Sequence, residues 1–141
     1  GEYSILHHAF VCGPGRTTPI GTFRTPFKAA WHPLQGCWGQ YCTQITGNYL
    51  FHSSPYNSPN KNDLSYRLYN QLGTVCSHGC VRLTVADAKW IYDNCPLGTT
   101  VSIYNASSLP VPKPSAPWLD ISSPNRGWDP TDPDPANPWN K

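Results

Sequence analysis

Proline sets the strictest limit on this chain. Of sixteen prolines in 141 residues, nine fall within the last 32. Each removes a backbone donor and fixes φ, so neither a helix nor a central strand can run through them. The stretch 110–141, ending GWDPTDPDPANPWNK, is therefore predicted to be an extended proline- and tryptophan-rich tail. Such a composition usually marks disorder. Here Trp118, Trp128 and Trp139 supply three large apolar side chains, each able to contribute on the order of 2–3 kcal/mol when buried. The expectation is a tail that runs extended over the body or over a neighbouring molecule, anchored by these three tryptophans.

The body, residues 1–109, has room for one domain with its own core. Tyr3–Val11 reads as a strand, and GPGRTTPIGTF, from Gly13 to Phe23, as a turn-rich segment. Thr43–Thr46 and Tyr49–His52 are short β-prone runs flanking Gly47-Asn48, a hairpin pattern. Residues 53–73 read as a long loop with one helical turn near Leu64–Asn70. Thr84 can cap a helix with Asp87 three residues on, and Pro96 and Gly98 stop it. Val85, Ala88, Ile91, Tyr92 and Cys95 share one face of that helix. Val101 and Ile103 then alternate with polar neighbours as a half-buried strand. The fold class expected is mostly β with one main helix.

A formal net charge of +2, with lysines and arginines scattered, argues against nucleic acid as a partner. No apolar run approaches the roughly 20 residues of a membrane span. The chain opens on strand-like sequence rather than a leader. The expectation is an excised domain, its export signal, membrane anchor or wall-binding domain lying upstream of Gly1. Six cysteines favour an exported protein.

The chemistry concentrates in TVCSHGCVRL, Thr74 to Leu83, which admits three readings. Cys76, His78 and Cys80 are soft ligands, but structural zinc sites space ligands more widely and need a second pair. Cys80 can instead be a small core residue with His78 a satisfied polar one. As a nucleophile, Cys80 needs a lowered pKa, a histidine partner and N–H donors for an oxyanion, which the backbone at Gly79 and Cys80 can supply. The partner histidine need be adjacent only in space. YLFHSSPY offers His52, followed by Ser53.

TPIGTF at Thr18–Phe23, LFHSSPY at Leu50–Tyr56, SHGCVRL at Ser77–Leu83 and DAKWIYDNCPLGTTVSIY at Asp87–Tyr104 occur in that order. Together they resemble the L,D-transpeptidase catalytic domain (YkuD-type) of bacterial cell-wall enzymes, over roughly residues 5–105. The resemblance implies a β-sandwich or barrel-like domain with a cysteine nucleophile, and no metal or cofactor. It implies Cys80 as nucleophile, His52 as proton acceptor and donor, and Ser53 as the residue orienting that histidine. His78 and Gly79 match the signature beside the nucleophile. Arg82 and Ser77 are implied at the substrate, and Tyr56 at the border of its cleft. The partners implied are peptidoglycan stem peptides, as donor and acceptor, with carbapenem-type β-lactams as inhibitors. The location implied is outside the cytoplasm, at the cell wall. The reaction implied is acyl transfer through a Cys80 thioester, expelling D-alanine and forming a 3→3 cross-link; water as acceptor makes the same site an L,D-carboxypeptidase. Another cell-wall cysteine peptidase is the alternative, although such enzymes usually place Cys before His. The segment 53–76 exceeds the family's usual spacing and is expected to carry an insertion beside the cleft, and the domain's opening strand is expected to be missing before Gly1.

The remaining aromatics and histidines read less sharply. Trp38 and Tyr41 are candidate cleft residues or packing; Arg82 holds a substrate carboxylate or satisfies backbone carbonyls. His7 and His8 read as strand residues and His32 as a loop residue. Cys37 and Cys42 are close enough in sequence for a disulfide to close a short loop, and Cys95 reads as a buried free thiol. A tail crossing the cleft near Cys80 would limit access to it.

Overall fold

The structure, a computed structural model, describes residues 6–108 and 111–140. Strands β1 (Gly21–Arg24), β2 (Lys28–Pro33), β3 (Trp38–Thr46) and β4 (Tyr49–Ser53) come first. Helix α1 (Tyr66–Tyr69), strand β5 (Val81–Leu83), helix α2 (Val85–Asn94), strand β6 (Thr100–Ile103) and a terminal 3-10 turn (Pro138–Asn140) follow. β1 and β6 pair antiparallel as a small sheet, while the main sheet runs β2-β3-β4-β5. The fold is mostly β with one main helix, as predicted.

Local chemistry explains the elements. β3 and β4 form the predicted hairpin, turning at Gly47, whose φ of 53° suits glycine. Thr84 caps α2, its Oγ1 accepting from Asp87 N at 3.2 Å. β2 has no clean alternation, which hid it in the sequence; it is an edge strand and ends at Pro33, where a missing donor is tolerated. Residues 6–11 of the expected Tyr3–Val11 strand form none, and Tyr3–Ile5 lie outside the described residues. β4 and β5 run parallel, which hairpins cannot achieve; the long segment between them is the crossover this pairing requires.

The tail is part of the fold rather than an appendage. The core cluster is Tyr56, Leu64, Tyr69, Val85 and Leu119, the last from the tail. Tyr69 donates its hydroxyl to Pro117 O at 2.8 Å, and the Asn70 amide brackets Leu119, donating to its carbonyl and accepting from its N–H. Asp129 Oδ2 accepts from Val85 N and Thr131 Oγ1 from Ala86 N, both at 3.0 Å, so the tail also caps α2. Asn137, fully buried, donates to the carbonyls of Asp129 and Asp132. Side-chain amides and carboxylates thus do what proline prevents the backbone from doing. The expected anchors need correction: Trp118 is 78% exposed, and Leu119 takes its place in the core. Trp139 does pack on the core, and its Nε1 donates to Asn125 O.

Candidate active site

The parallel register of β4 and β5 builds the site. His52 pairs with Arg82 and Phe51 with Val81, so the histidine lies alongside the segment that delivers Cys80. His52, Cys80, Ser77, His78, Gly79 and Arg82 line one cavity of about 1030 Å³.

The Ser77–Cys80 turn is tied from several sides. Ser77 Oγ donates to Cys80 O at 2.5 Å and accepts from Gly79 N at 3.1 Å. Thr17 donates to the His78 carbonyl, and Thr18 Oγ1 to Gly79 O at 2.7 Å, which gives the TPIGTF motif its physical role. At Gly79 a Cβ would lie 2.4 Å from Tyr49 Cε1, so only glycine lets this turn sit against β4. Arg82 Nη1 donates to Cys76 O at 2.8 Å, satisfying a backbone carbonyl while its head lines the cavity.

His52 is fully buried against a gap in β3. A Cβ at Gly39 would fall 2.9 Å from Cys42 Sγ and 3.0 Å from His52 Cβ. Positions 39 and 42 therefore share a face, which strict strand alternation forbids. Tyr41, with φ 51°, is the irregular residue between them. His52 Nδ1 donates to the Ser53 carbonyl, which fixes the tautomer and leaves Nε2 free to accept a proton. Ser53 thus touches the imidazole through its backbone; its hydroxyl accepts from Gln40 N and donates to Ser54 O, bracing β3.

Burial pulls the His52 pKa down to about 4, with the Ser53 hydrogen bond opposing and Arg82 and His32 reinforcing the shift. Burial likewise pushes the Cys80 thiol up, against Leu50 N–H and Arg82, which favour the thiolate. The lowered thiol pKa expected from the sequence is not present. The resting pair is a neutral thiol, whose Sγ donates to Asn48 O at 3.3 Å, beside a neutral imidazole.

Three expected cleft residues lie elsewhere. Tyr56 is fully buried in the core, edge-on to Trp31 at 5.1 Å. Trp38 packs on the same core, and Tyr41 stacks against Tyr92 of α2 at 5.4 Å. The sheet turns their side chains away from the cavity because His52 occupies the other face. Conversely, His32 and Cys37 line the cavity, unanticipated. The available signal was the hairpin itself: His32 pairs with Gly39, beside the gap that houses His52. All six cysteines are free thiols, so the Cys37–Cys42 bridge does not form; Cys42 is fully buried, and Cys95 is only partly buried. Among the described residues no three metal-ligating side chains converge, Cys76, His78 and Cys80 included. None of the described tail residues, 111–140, lines the cavity, so that stretch does not cross it. The segment 53–76 does border it, through Pro55, Asn57, Ser65 and Leu68.

A family model described as the L,D-transpeptidase catalytic domain matches residues 4–103. YciB, a Bacillus subtilis (strain 168) protein assigned to the L,D-transpeptidases, is 39% identical over 93 residues, covering 61% of this chain and 46% of YciB. An L,D-transpeptidase from Mycobacterium smegmatis superposes with a TM-score of 0.56 at 20% identity, over 72% of this chain and 51% of that one. L,D-transpeptidase 3 from Mycobacterium tuberculosis, in complex with a faropenem-derived adduct, gives 0.53 at 21% identity, over 74% and 50%. At these identities the two structures speak for the fold. The chain spans about half the length of the relatives it matches.

Proposed function

The chain belongs to the L,D-transpeptidase catalytic domain family, and from that premise we propose that it cross-links peptidoglycan stems 3→3 through a Cys80 thioester. The observation that carries this reading is a single cavity lined both by a buried histidine whose Nε2 is not engaged and by a half-buried thiol, carried on parallel neighbouring segments.

The neutral resting pair dictates the order of events. Cys80 attacks the carbonyl of the diamino-acid residue while His52 Nε2 takes the thiol proton, so the thiolate forms only as it is consumed. The Gly79 N–H is occupied by Ser77 Oγ, and the Cys80 N–H serves the developing oxyanion. His52 returns the proton to the departing D-alanine amine, leaving the thioester. Arg82, the only arginine, lysine, aspartate or glutamate among the described residues lining the cavity, favours a substrate bearing carboxylates. A cavity of about 1030 Å³ lies at the upper end of the roughly 300–1,000 Å³ typical of ligand sites, room for an extended peptide stem. A carbapenem entering the same cavity would acylate Cys80. We place the reaction outside the cytoplasm, at the wall. No helix among the described residues is long and apolar enough to cross a membrane, so an anchor would lie in another segment.

The test is mass spectrometry of the protein after incubation with a tetrapeptide donor, with and without an amine acceptor, and with a carbapenem. The expected results are an adduct on Cys80, cross-linked product with acceptor present, and neither in Cys80→Ala. An adduct persisting in Cys80→Ala would overturn the reading, and hydrolysis without cross-linking would make the enzyme a carboxypeptidase.

A further inference from the structure

We propose that His32, on the cavity wall at the end of β2, is the general base that takes the first proton from the acceptor ammonium. The inference rests on the cross-linking reading above and deepens it.

The need for a second base follows from counting protons. An acceptor amine of ordinary basicity arrives as an ammonium ion. Its reaction with the Cys80 thioester yields an amide, the Cys80 thiol and one released proton. Nitrogen loses two protons in all: one before its lone pair can attack, one as the tetrahedral intermediate collapses. The second returns to the Cys80 sulfur as the C–S bond breaks, through His52. The first needs another acceptor. His52 cannot hold both, because Nδ1 is committed to the Ser53 carbonyl and only Nε2 is free.

The cavity offers few candidates. Among the described residues no aspartate, glutamate or lysine lines it, and the Arg82 guanidinium, already protonated, cannot accept a proton. Histidines remain: His32, His52 and His78. His78 sits exposed on the turn that carries the nucleophile, its backbone tied to Thr17. His32 stands on the opposite wall. It pairs across the hairpin with Gly39, whose absent side chain leaves space beside the His52 ring. Phe27 packs edge-on against it at 5.7 Å between centroids, holding the imidazole in place. It lines the cavity and is half-buried, so it can both meet an acceptor bound there and pass a proton to bulk water.

The test separates acylation from aminolysis and varies the acceptor's basicity. His32→Gln is assayed first for D-alanine release from a tetrapeptide donor without acceptor, which reports folding and the Cys80–His52 pair. It is then assayed for aminolysis by an acceptor with a lysine-like amine, and by a weakly basic amine such as trifluoroethylamine, which arrives already neutral. The expected result is aminolysis by the lysine-like amine reduced about a hundredfold, in line with the loss of a general base. Acylation and aminolysis by trifluoroethylamine should stay within about threefold of the parent, since neither has this proton to remove. Equal losses with both amines would show a structural role and overturn the proposal. So would an undiminished rate with the lysine-like amine, or a selective loss in His78→Gln instead. Failure of the parent protein to form any acyl-enzyme would instead sink the cross-linking reading itself.

Discussion

The two faces of the main sheet are built by opposite means. The cavity face is shaped by what is missing: Gly39 opens space for His52, and Gly79 lets the Ser77–Cys80 turn lie against Tyr49. Its contacts are largely backbone, reinforced by the hydroxyls of Thr17, Thr18 and Ser77. The other face is built by addition: Tyr56, Tyr69 and Val85 are sealed by Leu119, while Asp129 and Thr131 cap α2. Stability and chemistry are thereby assigned to different sides of one four-stranded sheet. Damage to one face should leave the other measurably intact.

Deleting residues 111–141 is the most severe way to break that division. It uncovers Tyr56, Tyr69 and Val85 and removes the α2 cap in one step. Burying Leu119 contributes roughly 2–3 kcal/mol and a cap about 1 kcal/mol. With the tail's remaining contacts this approaches the 5–15 kcal/mol typical of whole domains. The truncated chain is expected to lose its cooperative thermal transition in circular dichroism. A melting temperature within about 3 °C of the full chain would refute the claim that the tail is structural.

On the cavity face the expectation reverses. Gly39→Ala places a methyl 2.9 Å from Cys42 Sγ and 3.0 Å from His52 Cβ, forcing the imidazole to move. Acylation of Cys80 should fall about a hundredfold, the cost of a displacement near one ångström, with a stability loss of about 1–3 kcal/mol from overpacking. Acylation kinetics beside a urea melt compare the two effects. Retained acylation would mean the gap at Gly39 does not set the histidine's position.

This division explains what was legible in the sequence. α2 and the β3–β4 hairpin announced themselves because capping and turn residues act locally. The Cys80 and His52 motifs stood out because their chemistry needs particular residue types. Trp38 and Tyr41 miss the cleft where Tyr41, with its positive φ, interrupts the alternation of β3. Such a slip reverses which side chains face which side. Tyr56, beyond β4, is drawn into the core by Leu64, Tyr69 and Leu119. His32 was hidden because its role depends on a partner strand and on a side chain that Gly39 lacks. The docking of the tail was legible, but its anchors were only partly so, for a related reason. Its anchoring came from Asp129, Asp132 and Asn137, small polar residues whose burial depends on carbonyls and N–H groups brought near by folding.

One buried titratable group on each face sharpens the comparison through pH. His52 is depressed to about 4. Between pH 6.5 and 4 the unfolded chain therefore binds a proton that the native state refuses, and stability falls as pH drops through that window. Asp129 is raised to about 6, burial outweighing its bonds to Thr131 and Val85. Between about pH 4 and 6 the native state is the one that holds the proton, so its contribution to stability falls as pH rises. Each effect amounts to about 3 kcal/mol at its limit, and in the parent they largely cancel. Asp129→Asn should expose a steep loss of stability below pH 6.5, and His52→Gln a gain on acidification over the Asp129 window. Urea denaturation at a series of pH values reads both; identical profiles in the two variants would contradict the assignment.

The smallest expected effect concerns the tryptophans that the sequence nominated as anchors. Trp118 is 78% exposed, and its neighbours Pro117 and Leu119 carry the hydrogen bonds to Tyr69 and Asn70. Replacing it removes little buried surface and no recorded hydrogen bond, so Trp118→Ala should change stability by no more than about 0.5 kcal/mol. Trp139 differs on both counts: it packs on the Tyr56–Leu119 core, and its Nε1 donates to Asn125 O at 2.9 Å. Its replacement loses packing and leaves the Asn125 carbonyl without that donor, costing about 2 kcal/mol or more. Paired urea melts of the two variants measure the difference directly. Acylation of Cys80 is expected to be unchanged in Trp118→Ala and nearly so in Trp139→Ala while it stays folded, because neither residue lines the cavity. A Trp118→Ala penalty equal to that of Trp139→Ala would mean that the exposed ring is covered in solution, and that the core face extends further along the tail than Leu119.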